Sequence, residues 1–396
     1  MFGQKTLERD GGRLANDRYG VVGDIAVNQR LTLGGEVSGG DLGLGANAKA
    51  NLATGDRGSL YLAYTLAAEN PDAFNTGRLG RLTAGAKHRF GTDTNVFAEQ
   101  RLETGAGPTG LTQAYGVDFS PAKGWTLGGR YETGKLADAL GQRIGREVVG
   151  GTIGYVEPTV RWSTALEYRR EQSDTLGNRT TYATRNLITY QASDALRLYG
   201  KANLSVSNGG AKAPGGASVL DANYYEVALA GAYRPVSNDK LNLLAKITYL
   251  SDLPSPAQVT AYALPIDYAQ RSTIGALDLT YQLTPRLAVG GKVAVRVGEL
   301  RLSRDASAPW FDSQSVFWAA RVDYEVIRRW DMLAEIRQLR VSTAGDSRLG
   351  ALVGIYRHFG QNVKVGAGYN FTNYSDDLAN TGFREHGFFF NVIGKF

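Results

Sequence analysis

The chain has 396 residues, 50 of them glycine and none cysteine, with 21% charged residues and a mean hydropathy of −0.26. The missing thiols exclude disulfide scaffolds, thiolate zinc sites and cysteine nucleophiles, and no apolar run reaches the roughly 18–20 residues of a membrane-spanning helix. The net charge of +6 is spread from end to end without a basic tail, which argues against nucleic acid as a partner.

Met1-Phe2-Gly3-Gln4-Lys5 leads into polar sequence with no apolar stretch of the kind that opens an export signal. Residues 1–16 therefore read as a linker or a first short strand, and 17–396 as one repetitive β domain. Beyond residue 17 the dominant signal is strict alternation. Leu196, Leu198, Gly200, Ala202 and Leu204 oppose Arg197, Tyr199, Lys201 and Asn203. Leu287, Val289, Gly291, Val293, Val295 and Val297 oppose Ala288, Gly290, Lys292, Ala294 and Arg296. The same holds for Val316–Val326 and Val363–Phe371. Each step along a strand flips the side chain, so one face is apolar and the other is charged, small or glycine.

Tight turns rich in Asp, Asn, Gly and Pro punctuate this pattern at 28–30, 54–57, 91–94, 120–123, 157–158, 192–194, 236–239, 284–286, 328–331 and 360–362. Longer links alternate with them, at 68–79, 206–220, 251–265, 303–313 and 375–382. After the tight turns a similar phrase recurs, as in Leu31-Thr32-Leu33-Gly34-Gly35, Trp125-Thr126-Leu127-Gly128-Gly129 and Leu287-Ala288-Val289-Gly290-Gly291. Each repeat is one hairpin. Tyr and Trp recur on the apolar face, at Trp125, Tyr131, Tyr155, Tyr168, Tyr190, Tyr233 and Tyr249, as interfacial girdles require. The expectation is all-β: a transmembrane antiparallel up-and-down β-barrel of about 22 strands, 20 being the alternative count, around a polar lumen. Residues 3–10 supply the extra ascending strand that makes the count even, and 383–396 the last descending one. Short turns face the periplasm and long links the outside in this class.

In the last strand Phe388, Phe390, Val392, Gly394 and Phe396 share a face, preceded by Glu385 and Gly387. This ending resembles the signal read by the barrel assembly machinery of the outer membrane, which is thus an expected partner, as are outer-membrane lipid and lipopolysaccharide.

The expected pore-lining basic residues are Lys49, Lys87, Arg89, Arg130, Arg169, Arg197, Lys201, Lys246, Lys292, Arg296, Arg321 and Lys364. The acidic ones are Asp24, Glu36, Glu99, Glu132, Glu167, Glu226, Asp278, Asp323 and Glu325. The plainer reading is a cross-strand salt-bridge ladder that keeps the wall wet and rigid; the other is a weakly anion-selective charge ring. Nothing points to an enzyme, a cofactor or a metal. His88, His358 and His386 lie far apart, no G-x-S-x-G or H-E-x-x-H occurs, and Gly105–Gly110 fits G-x-G-x-x-G only inside a loop that opens no helix. Ser375-Asp376-Asp377 reads as a solvated loop.

Three phrases carry a family resemblance: Asp17-Arg18-Tyr19-Gly20-Val21, Asn28-Gln29-Arg30-Leu31-Thr32-Leu33-Gly34-Gly35 and Thr109-Gly110-Leu111-Thr112-Gln113-Ala114-Tyr115-Gly116-Val117-Asp118. They resemble the C-terminal barrel region of very long Gram-negative outer-membrane proteins with repeated extracytoplasmic domains upstream. The resemblance extends over most of residues 17–396. It implies a barrel that anchors or translocates a larger polypeptide, plugged by an upstream domain or a partner protein. Two functions therefore stand side by side. One is a wide polar pore for passive diffusion or export, constricted by 251–265 or 206–220. The other is an anchor.

Overall fold

A strand with period-two alternation can face two environments at once, provided its backbone is paired on both sides. In the computed structural model the chain forms one antiparallel sheet of 22 strands, each paired with its neighbours in sequence. The structure describes residues 2–4, 18–40, 43–67, 79–105, 109–137, 143–173, 177–209, 223–238, 240–253, 269–302, 308–343, 345–360, 363–372, 378 and 387–394.

The first seven strands are β1 (Phe2–Gln4), β2 (Arg18–Ala26), β3 (Leu31–Gly40), β4 (Gly43–Ala53), β5 (Gly58–Ala67), β6 (Leu79–Phe90) and β7 (Thr94–Gly105). Next come β8 (Thr109–Phe119), β9 (Trp125–Ala137), β10 (Arg143–Val156), β11 (Val160–Ser173), β12 (Gly177–Gln191), β13 (Leu196–Asn208) and β14 (Asn223–Tyr233). The last eight are β15 (Leu241–Leu253), β16 (Ala269–Thr284), β17 (Leu287–Arg301), β18 (Phe311–Ile327), β19 (Trp330–Val341), β20 (Asp346–Phe359), β21 (Val363–Asn370) and β22 (Gly387–Gly394).

This is the up-and-down barrel that the alternation requires. β1 has three residues and the others eight or more. β1 pairs with Arg18–Gly20 of β2 and β22 pairs with β21, so the seam lies between the chain ends. Among the described residues no pairing joins β22 to β1. Phe388, Phe390 and Val392 share the outer face of β22, where Phe388 is 78% exposed. Glu385 and Phe396, also part of the expected assembly signal, lie outside the described residues.

Among the described residues the tight turns fall where expected, with 239 and 361–362 outside them, and several take a positive φ at glycine, as at Gly55, Gly91, Gly124 and Gly360. Arg329 is the exception, at φ 74° in the two-residue turn between β18 and β19, beside a register shift at Glu325/Ile327. A left-handed non-glycine residue is strained by about 1 kcal/mol or more. Arg329→Gly should therefore stabilise the refolded barrel by about 1 kcal/mol, read as a higher urea midpoint in lipid vesicles.

The outer face is apolar and exposed, as lipid contact demands; Leu229 and Val293 are 61% and 51% exposed. Aromatic belts bound it. At the short-turn end Trp125 lies 4.7 Å from Tyr155 and 6.3 Å from Trp162, with Tyr190 and Tyr233 beyond. At the other end Tyr168 lies 5.3 Å from Tyr182, with Tyr225 and Tyr249 beyond. The eight-residue step from Tyr190 to Tyr182 spans about 26 Å along the strand, or roughly 19 Å along the membrane normal at 40–45° tilt. Polar groups interrupt the band near its middle, Asn186 among them. Asn186 accepts from Thr164 (2.8 Å) and donates to Thr184 (2.9 Å) and the Ala202 carbonyl (3.1 Å), so its amide meets lipid already satisfied.

Candidate functional site: the inner wall

Directly paired residues in an antiparallel sheet share a face, so register traces the inner wall from strand to strand. Asp24 pairs with Gly34, Gly34 with Lys49, and Lys49 with Ala63. Glu132 pairs with Val148 and Val148 with Arg169. Asp278 pairs with Lys292, and Gly290 with Arg321. All the charged residues expected on the inner face fall on this one, including Glu36, Lys87, Arg89, Arg197, Lys246 and Glu325.

The structure brings many of them together as ion pairs. Lys49 reaches Asp24 at 2.8 Å, two strands away, passing over Gly34, whose missing side chain leaves the space. Arg169 pairs with Glu167 at 2.5 Å and Arg321 with Asp323 at 3.2 Å; Arg130 pairs with Glu132 and Arg101 with Glu99. Glu226 accepts from Lys201 (2.7 Å), Asn203 (3.2 Å) and Tyr224 (2.9 Å). Glu99 also accepts from Tyr61 at 2.7 Å, while the Lys87 ammonium sits 5.3 Å from the Tyr61 ring. Arg197 donates to Gln191. Lys364 and His358 both meet Asp331, at 2.6 and 2.7 Å, and Lys364 lies over the Tyr356 ring. A salt-bridge ladder is therefore present.

The same face holds charges that the sequence reading passed over, among them Arg18, Arg81, Arg146, Arg185, Arg337, Arg348, Glu103, Glu171, Asp331, Glu335 and Asp346. A local signal for many of them exists. Glu99/Arg101, Arg130/Glu132, Glu167/Arg169, Arg321/Asp323, Glu335/Arg337 and Asp346/Arg348 are all opposite charges two residues apart, the spacing that puts both on one face of a strand.

Not every expected lining residue faces open lumen. Arg296 is buried, 6% exposed. It donates to Gln270 at 3.2 Å and to the Leu378 carbonyl at 3.5 Å. Leu378 belongs to the link between β21 and β22, yet it is 2% exposed. It packs with Ile274, Ala294, Phe317 and Leu339, all inner-face residues of β16–β19. Among the described residues it is thus the last link that reaches the inner wall. The expected constrictions, 206–220 and 251–265, lie mostly outside the described residues. Lys292 sits beside the cluster, 5.5 Å from the Phe317 ring centre. Among the histidines, His358 joins the Asp331 pair at the inner wall, His88 stacks edge-on with Phe90 at 4.6 Å, and His386 lies outside the described residues. Among the described residues no group of His, Asp or Glu could hold a metal ion.

No protein-family model matches the chain, and no curated protein matches it in sequence. Solved structures match in fold. The copper transporter OprC aligns with a TM-score of 0.50 at 12% identity, over 95% of this chain and 72% of its own. A mutant of the ferric enterobactin receptor PfeA from Pseudomonas aeruginosa gives 0.50 at 10% identity, over 96% and 77%. The FrpB iron transporter from Neisseria meningitidis gives 0.51 at 11% identity, over 96% and 78%. Identities this low carry the architecture and nothing finer. Girdled outer face, charged inner face and shared architecture together make the chain an outer-membrane β-barrel.

Proposed function

We propose that the barrel is a wide polar pore for passive diffusion or export of hydrophilic solutes, with a weak preference for anions. The observation that carries this reading is the inner wall. It is charged along its length, its basic residues outnumber the acidic ones, and a lumen of about 22 strands is too wide for wall side chains to fill. The transporter fold of the solved neighbours supports transport in general, and the excess positive charge supports the anion preference. An acidic polymer would suit the same wall.

A second reading has its own support. Barrels of this strand number are plugged when they serve as outer-membrane transporters, and the chain covers 72–78% of the solved chains it matches. A further domain or a partner protein would then close the lumen, and the barrel would anchor or translocate it. Reconstitution in a planar bilayer separates the two. The pore reading expects large single-channel conductance and a reversal potential shifted weakly toward anions in a salt gradient. A folded barrel without conductance leaves the anchor.

A further inference from the structure

We propose that the outer face of β9–β11 carries a binding site for the phosphorylated headgroup of an outer-leaflet glycolipid. Most of the outer face is apolar. On these three strands it changes character toward the long-link end, where Lys135, Glu147, Arg170 and Gln172 project outward next to Gly145. Register sets their spacing. Lys135 pairs with Gly145 and Gly145 with Gln172, while Glu147 pairs with Arg170. Gly145 leaves an uncovered floor between Lys135 on one side and Arg170 with Gln172 on the other, about 10 Å apart across two strand spacings.

Depth identifies the occupant. Lys135 stands ten residues above Trp125 on its strand, Glu147 eight above Tyr155 and Arg170 eight above Trp162. At about 3.3 Å per residue and 40–45° tilt, they lie roughly 19–25 Å above the periplasmic aromatic belt, about the height of the apolar band. Tyr168, the preceding outer-face residue on β11, marks the opposite belt. The cations therefore sit where lipid phosphates lie, on a surface that lipid must cover.

Chemistry agrees with depth. Basic pockets on a membrane face recognise anionic headgroups, and a guanidinium suits phosphate. With the Gln172 amide turned so that its oxygen faces Arg170, Arg170 donates to it from Nη2 (2.8 Å) and Nε (3.2 Å), which holds the side chain over the groove. Lys135 and Arg170 outweigh Glu147, the one acid among them, and Arg143 adds a third cation at the start of β10. The inference holds whether the lumen is open or plugged.

The test uses the whole refolded barrel in detergent with EDTA, diphosphorylated lipid A as the probe, and native mass spectrometry as the readout. One bound lipid is expected. The double variant Lys135→Ala/Arg170→Ala should bind at least about tenfold more weakly, and Glu147→Gln more tightly. Heat-modifiable gel migration reports that each variant has folded. The unaltered protein should also lose at least about tenfold when the lipid is dephosphorylated. Equal binding of the two lipids to the unaltered barrel would overturn the proposal whatever the variants do. So would displacement of the lipid by equimolar inorganic phosphate, which would make this a plain anion site.

Discussion

Val293→Arg should block assembly of the barrel, whereas Lys292→Ala should leave a folded, heat-modifiable product. The two positions are neighbours with opposite surroundings. Val293 is half exposed on the lipid face, six residues above the start of β17 at Leu287. That is about 14 Å along the membrane normal, near the bilayer centre. Arginine there costs roughly 2–4 kcal/mol. Lys292 faces inward, where removal of its side chain strands no group in lipid, and the contact it gives up with the Phe317 ring is worth about 0.5–1 kcal/mol. Folded fraction in vesicles across a urea series measures both. Equal tolerance at the two sites would contradict the assignment of faces on β17.

Charge reversal inside gives the second large effect. Lys292→Glu and Arg296→Glu each change the charge by two, so together they move four units on one strand. The reversal potential should shift toward cations, most at low salt, where the screening length is about 10 Å at 0.1 M and longer below it. The two sites also differ. Lys292→Glu should alter selectivity with little change in conductance. Arg296→Glu places a carboxylate beside the Leu378 carbonyl in a buried position, at a cost of several kcal/mol. It should release that link from the wall and raise single-channel conductance as well. Leu378→Ala, which loses about 2–5 kcal/mol of local packing, should raise conductance without moving selectivity. A reversal potential indifferent to both charge substitutions would remove these residues from the conducting path.

The architecture was legible because alternation is a local property. Each step along Leu287–Val297 names its own face without reference to any neighbour, and the tight turns carry their own chemistry. Membership of the inner face was readable for the same reason. What the sequence could not supply was partnership across strands. Lys49 meets Asp24 only because Gly34 leaves room between them, and that juxtaposition depends on register. Leu378 was invisible for a stronger reason: its burial depends on Phe317, which lies far away in the chain, and nothing in the link itself announces an inward path. The pairs of opposite charge two residues apart, by contrast, are legible in the sequence alone, since that spacing puts both on one face.

Those pairs bear on how such a wall can change over evolutionary time. Arg130 with Glu132, Glu167 with Arg169 and Glu335 with Arg337 neutralise one another within a single strand, while Arg18–Glu36, Arg81–Glu103 and Arg146–Glu171 do so within one short-turn hairpin. Lys49–Asp24, Lys201–Glu226 and the Asp331 group reach outside their hairpins. Where compensation is internal, a hairpin can be duplicated, deleted or transplanted without stranding a charge on its new neighbour. Circumference then becomes a modular trait, altered two strands at a time, with β2–β4, β13–β14 and β19–β21 as the sections least free to be exchanged.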